Sequence, residues 1–279
     1  MAGFDIEVVG KIGSMALIQR DENELDYNVF ARIGGQLRPG MLWVSSGATE
    51  IGRLDYMRRH HGRELLGDHE DVKADYAAQG QAILIENYRR FVRQEYSLRQ
   101  LLVEHTHFND REKREHIRRF LLRATTQGAI PIINYNDPVS SEENRHVELA
   151  KLRERAHSAE VYECIDNDET AAVISQLMRA RYLVIMTSTE GIYADVNDPK
   201  SLVEHISGDT PDKVVEGIRA MQEHCVGASR AGAGGARAKL EFCIGPVRQG
   251  TTVIIGSPRY TIDQLLQGNV PHTRIGRKS

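Results

Sequence analysis

The feature that most constrains this chain is a recurring pattern of short apolar runs, each ending in a loop of small or polar residues. Val8-Val9 leads into Gly10-Lys11-Ile12-Gly13-Ser14, Met41-Leu42-Trp43-Val44 into Ser45-Ser46-Gly47, Ala129-Ile130-Pro131-Ile132-Ile133 into Asn134-Tyr135-Asn136-Asp137, and Tyr182-Leu183-Val184-Ile185-Met186 into Thr187-Ser188-Thr189-Glu190-Gly191. Runs of that length without polar alternation suit strands buried on both faces. Between them lie segments with helical spacing: Asp21 to Gln36, Asp71 to Tyr96 with Ala78, Ile83, Leu84, Tyr88 and Phe91 on one side, Asn109 to Thr126 behind an Asn cap, and Thr170 to Arg179. Leu101-Leu102-Val103 reads as a further strand and Thr251 to Ile255 as the last. Strand and helix in alternation predict an α/β fold with a parallel sheet covered on both faces.

In such sheets ligands lie beyond the carboxyl ends of the strands, where glycine turns offer backbone N–H groups to anions. Lys11, with Gly10 and Gly13 around it, puts a cation and an approachable backbone at one such end, a place for a phosphate. Ser45-Ser46-Gly47 serves equally as a helix N-cap or a binding loop. The amides and carboxylate of Asn134, Asn136 and Asp137 are costly to bury unless hydrogen-bonded, so they face a ligand or a turn. Asp166-Asn167-Asp168 opens a helix. One of the three is explained as a cap, three in a row are not.

Composition narrows the partners. The net charge of −3 argues against a nucleic-acid protein, which would carry a surplus of Lys and Arg. No apolar stretch approaches the length of a membrane span and the first residues carry Asp5 and Glu7, so a cytoplasmic protein with a small-molecule partner is expected. Cys164, Cys225 and Cys243 are odd in number and far apart, which indicates buried thiols and neither a disulfide framework nor a zinc site. His60, His61, His105 and His107 lack Cys or carboxylate companions at ligand spacing and are expected to be structural or exposed. The Arg111 to Arg119 stretch reads as a solvated face or a subunit contact.

Neither a Gly-x-x-x-x-Gly-Lys-Ser/Thr loop nor a complete Gly-x-Gly-x-x-Gly is present, because Arg237 stands at the third glycine after Gly232 and Gly234. Taken in order, however, Lys11-Ile12-Gly13-Ser14, Val44-Ser45-Ser46-Gly47-Ala48, Pro131 to Asp137, Asp166-Asn167-Asp168, Thr187 with Gly191-Ile192-Tyr193, and Gly234 to Leu240 resemble the amino acid kinase family, and within it the glutamate 5-kinases. The resemblance implies a three-layer αβα sandwich around a mostly parallel sheet of about eight strands. It also implies one domain over residues 1–279, with an acceptor half of about 1–165 and an ATP half of about 166–279.

It further implies ATP and Mg²⁺ as cofactors and glutamate, phosphorylated on its side-chain carboxylate as in proline synthesis, as the small-molecule substrate. Lys11 and Lys239 would flank the transferring phosphoryl group and Asp168 would hold both. Gly13, Ser14, Gly47 and Gly235 would present backbone to phosphates. Ser46, Asn136, Asp137 and Asn167 would hold the acceptor, with Asp137 on its ammonium. Thr187, Ser188, Gly191, Tyr193 and Lys200 would lie at the nucleotide. No protein ligand to the metal is implied, only a link from Asp168 through water, and a homo-oligomer, dimer or tetramer, is expected.

Departures from that family gather on the acceptor side. Tyr135 stands where Glu is usual, Met15 replaces a small hydroxyl residue and Ile165 a Gly. Pro138 to Ile165 is a 28-residue charged segment in place of a shorter connection, with an amphipathic helix expected at Glu143 to Glu160 carrying Val147, Leu149 and Leu152. Elsewhere Ser188 replaces Asp, His272 replaces Gly beside Thr273, and the sequence given stops without the RNA-modification-type (PUA) domain of many bacterial relatives. The phosphoryl-transfer set is complete. A kinase of another small carboxylate or modified amino acid, and a non-catalytic nucleotide-binding or storage protein, are the alternatives.

Overall fold

The computed structural model describes residues 3 to 278 other than 20, 141, 157–160, 165, 196 and 226–234, with 142–144 and 155–156 in backbone only. Eight strands make the main sheet: β1 (Ile6–Ile12), β2 (Met41–Ser45), β3 (Ser97–Val103), β4 (Ala129–Tyr135), β5 (Ala180–Met186), β6 (His205–Gly208), β7 (Thr252–Gly256) and β8 (His272–Arg277). The sheet is mostly parallel and flanked by helices, the αβα architecture expected. Chain contacts divide the protein into two compact units.

The first unit joins Met1–Ile12, Gly40–Val44 and Asp166–Ser279. Its strands follow the order β2-β1-β5-β7-β8-β6. β1 pairs parallel with β5, bringing Lys11 opposite Ile185, and β5 pairs parallel with β7. β7 and β8 are antiparallel, and β8 and β6 parallel again. Val8, Val9, Val184 and Ile254 are fully buried, as unbroken apolar strands require. Gly10 serves packing here: a Cβ on it would lie 2.0 Å from the Trp43 ring, so the glycine expected at a ligand makes room for the indole instead. Two further strands, β6 and β8, follow or precede the run expected to be the last. Both are short and partly polar, which hid them.

The second unit joins Gly13–Pro39 and Ser45–Ile165. β3 and β4 run parallel over their whole length, Ser97 opposite Ala129 to Val103 opposite Tyr135. The first expected helix is shorter, Tyr27–Gly34, because Glu24–Leu25 pairs with Ile18–Gln19 as a small antiparallel hairpin and Asp26 caps the helix on the N–H groups of Asn28 and Val29. The helix Ala48–Arg59 packs on the long helix His69–Phe91. Its buried face is Tyr76, Ala77, Gly80, Leu84 and Tyr88. Ala78 is exposed, so the face lies a little around the helix from the one expected. The reason is backbone contact: a Cβ on Gly52 would sit 1.8 Å from the Tyr76 carbonyl oxygen, and one on Gly80 1.8 Å from that of Ala48.

Asn109 ends a one-turn helix, His105–Asn109, and the cap of the following helix Arg111–Thr126 is Asp110, one residue later than expected. The charged segment does contain a helix, Glu142–Ala156, with Leu149 buried and Val147 half exposed. Its expected continuation to Glu160 falls outside the described residues, as do Ile165 and the Gly232 to Gly234 turn. Cys164 and Cys243 are buried, whereas Cys225 is only partly so.

Candidate functional site

Within the first unit three charged side chains from distant parts of the sequence meet. Lys11 lies near the end of β1, Asp168 in the first turn of the helix Asn167–Leu177, and Lys239 in the first turn of the helix Ala236–Arg248. Asp166 caps the first of these helices, accepting from the N–H groups of Asp168 at 2.7 Å and Glu169 at 3.0 Å. The cap fixes the turn that points Asp168 inward. Lys11 Nζ is 2.6 Å from Asp168 Oδ1 and Lys239 Nζ 2.8 Å from Oδ2, so one carboxylate bridges two ammonium groups.

Asp168 is 3% exposed. Burial works to raise its pKa, yet the two lysines outweigh burial and hold the carboxyl below the usual carboxylate range. Asp166 goes the other way, pushed up by burial and by the charge of Asp168. An ammonium carries three donors and Asp168 engages at most one on each lysine, so a cluster of net charge +1 retains donors for an anion. Cys243, one turn beyond Lys239, donates its thiol to the Lys239 carbonyl at 3.0 Å, and burial and Asp168 push its pKa up. Its placement four residues after Lys239 was the only sequence signal that it lies against the site.

The remaining candidates of this unit fall in two places. Asn167 sits beside Asp168 at the helix start, and the Gly235 carbonyl accepts from Lys239 N–H at 3.2 Å. Thr187 follows β5 and donates its N–H to Gly256 O at 2.9 Å. Gly191 packs on Thr273: a Cβ there would lie 2.5 Å from Oγ1, which accepts from Ile192 N–H at 2.8 Å. That role of Thr273 was not legible in the sequence. Tyr193 bridges to Leu202, while Ser188 and Lys200 are exposed, with Lys200 N–H held by Asp198 Oδ1 at 2.9 Å.

The second unit assembles its own set. Gly47 caps the helix Ala48–Arg59 at φ 112°, a left-handed conformation that favours glycine, and no side-chain oxygen of the cap covers the helix N–H groups. A Cβ on it would lie 3.7 Å from Ser14 Cα, so the two glycine loops meet. Gly13 is extended, at φ −77° and ψ 152°. Ser46 is half-buried, and the preceding Ser45 is tied to Tyr88 OH at 2.9 Å.

After β4, Asn136 donates to Glu104 Oε1 at 2.9 Å, and Asp137 opens a single 3₁₀ turn. Burial raises the pKa of Asp137, opposed by the charges of Lys73 and Arg145. Tyr135 is buried, its hydroxyl 3.1 Å from His105 Nδ1 and 3.0 Å from Ser140 Oγ. His105 does find a carboxylate, Glu148, which is distant in sequence. His107 accepts from Glu104 N–H at 2.9 Å and completes a helix cap.

Among the described residues no group of His, Cys, Asp and Glu is arranged to hold a metal ion, and no helix is long and apolar enough to cross a membrane. A mostly parallel sheet under helices, with a buried carboxylate at one helix N-terminus held between a lysine at the end of β1 and a lysine at the N-terminus of a second helix, defines an α/β protein with a charged centre at the end of its first strand. The chain belongs to the amino acid kinase family, which it matches over residues 7–257. It is 29% identical over 280 residues to the glutamate 5-kinase of Cupriavidus pinatubonensis, covering 96% of this chain and 67% of the relative. With the glutamate 5-kinase of Nitrosospira multiformis it shares 30% over 266 residues, covering 90% and 62%. The chain therefore spans about two thirds of the length of these relatives. Carbamate kinase from Giardia lamblia bound to AMP-PNP has the same fold, with a TM-score of 0.61 at 13% identity and full coverage of both chains, as has UMP kinase from Ureaplasma parvum, at 0.56 and 12% with 98% and 96% covered.

Proposed function

We propose that the protein is an ATP-dependent kinase that transfers the γ-phosphoryl group to the side-chain carboxylate of glutamate, giving γ-glutamyl phosphate. The observation that carries the reading is the Lys11–Asp168–Lys239 bridge. Phosphoryl transfer between two anions needs charge stabilisation and positioning more than covalent help. Two ammonium groups held by one carboxylate supply a fixed positive field that needs no rearrangement as the transferring group moves. A carboxylate acceptor is already ionised at neutral pH, so no general base is required.

Thr187, Ser188, Gly191, Tyr193 and Lys200 would hold the nucleotide, and Gly13, Ser14, Gly47 and Gly235 would offer backbone to phosphates. The glycine cap of the helix Ala48–Arg59, bare of side-chain oxygen, fits an anion. Mg·ATP would supply the phosphoryl group with its charge partly neutralised. Ser46, Asn136, Asp137 and Asn167 would orient the acceptor, the carboxylate of Asp137 suiting an ammonium. The names of the curated relatives support glutamate. Tyr135 and its hydrogen-bonded surroundings favour a second reading, the same chemistry on another small amino acid.

ADP release and trapping of acyl phosphate as hydroxamate, over a panel of amino acids and small carboxylates, test the proposal. Glutamate-dependent hydroxamate that falls by about 10²–10³-fold in Lys239→Ala is the expected result. Turnover of a different acid alone would move the substrate, and no turnover across the panel would overturn the kinase reading.

A further inference from the structure

The helix Glu142–Ala156 is fastened to the end of β4 by a row of contacts within the second unit. Glu148 Oε2 lies 2.9 Å from His105 Nε2, His105 Nδ1 3.1 Å from Tyr135 OH, and Tyr135 OH 3.0 Å from Ser140 Oγ. His105 and Tyr135 are buried, and Leu149 of the same helix is buried as well. One turn before Glu148, Arg145 sets its guanidinium over the Tyr135 ring, 5.6 Å from the centroid. Asp137 lies two residues beyond that ring, and Arg145 and Lys73 are the cations whose charge acts on it. Arg145 also hydrogen-bonds the Tyr135 hydroxyl. A guanidinium has five N–H donors, so the others remain for a planar anion, in a fork that matches a carboxylate.

Resting on the reading in which Asp137 receives the acceptor's ammonium, we propose that Arg145 is a specificity-determining residue that takes the acceptor's α-carboxylate. The two residues then recognise the zwitterionic head of an α-amino acid, and the inserted helix is a part of the acceptor site, with Tyr135 as the shelf that aims it. Arg145 suits this role better than Lys73, because an ammonium is a point charge without a fork.

Calorimetric binding to the full chain of L-glutamate, 4-aminobutyrate, which lacks the α-carboxylate, and glutarate, which lacks the ammonium, tests this. Wild type is expected to prefer glutamate over 4-aminobutyrate by about 10- to 100-fold, the range of a charge-assisted hydrogen bond. In Arg145→Met that preference disappears through weaker glutamate binding alone, the preference over glutarate persists, and Arg145→Lys recovers part of the loss. An unchanged preference in Arg145→Met, equal weakening of all three ligands, or a wild type that binds none of them overturns the proposal. Because binding is read without turnover, a wild type with the expected pattern that transfers no phosphoryl group overturns the kinase reading and leaves this inference standing.

Discussion

Asp168 is the residue on which the site turns, and its substitution separates charge from shape. Asp168→Asn keeps the volume but leaves Lys11 and Lys239 facing each other without a counter-charge. Removing one partner of a buried ion pair costs on the order of 3–5 kcal/mol, and urea unfolding at neutral pH should show a loss of that size. The acid limb gives an independent check. The folded pKa of Asp168 lies below its unfolded value, so its contribution is complete above about pH 4 and is lost as pH falls through the lower folded value. Unfolding free energy measured from pH 5 to pH 2 should fall less steeply in Asp168→Asn than in wild type. Equal slopes would mean that the lysines do not govern this carboxylate.

At the scale of the elements, the helices Ala48–Arg59 and His69–Phe91 approach closely enough for backbone to meet backbone. Gly52 and Gly80 face carbonyl groups, which no side-chain rotation can move aside. Gly52→Ala is therefore expected to cost at least the upper end of the roughly 1–3 kcal/mol usual for overpacking, seen as a lower urea midpoint. Substitution at Gly62, whose Cβ would meet nothing within 4 Å, is the control for a glycine that carries no packing role, although its positive φ adds some strain.

The helix Glu142–Ala156 gives a second test. His105, with its pKa lowered by burial against the pull of Glu148 and Glu104 and with the help of Arg145, contributes stability that is present above about pH 6.5 and lost as pH falls through its lower folded value. Protection factors of the amides of that helix, with exchange referred to the intrinsic rate at each pH, should fall from pH 7 to pH 5 in wild type, and do so less in His105→Gln.

The buried strands and the order of the loops were legible in the sequence because unbroken apolar runs and glycine turns are local signals. The bridge itself was legible only through resemblance, since nothing local links Lys11, Asp168 and Lys239. The His105–Glu148 contact and the Gly52–Gly80 approach were hidden for the same physical reason: each depends on which helix faces which, and periodicity does not say that. Gly10 shows the converse, a glycine that looked like a ligand position and proves to make room for Trp43.

At the scale of the whole molecule, ligand binding and stability are one measurement. If Mg·ATP is received as proposed, a concentration one hundred times its Kd adds about 2.7 kcal/mol, which for a chain of this size raises Tm by about 5 °C. Calorimetric scans with and without Mg·ATP should show that rise in wild type and lose most of it in Lys11→Ala with Lys239→Ala. A rise that survives both substitutions would place the nucleotide's charge elsewhere.

The first unit is stitched from three separate stretches of chain, and β5 has β1, from the N-terminal stretch, on one side and β7 on the other. A gene divided at residue 165 would thus yield a downstream product in which β5, a largely buried strand, presents a bare edge, the kind that seeds intermolecular pairing. The upstream product would release β1 with β2 beside it but without β5. During synthesis the same dependence holds: β1 emerges first and waits through more than half of the polypeptide before β5 exists to receive it.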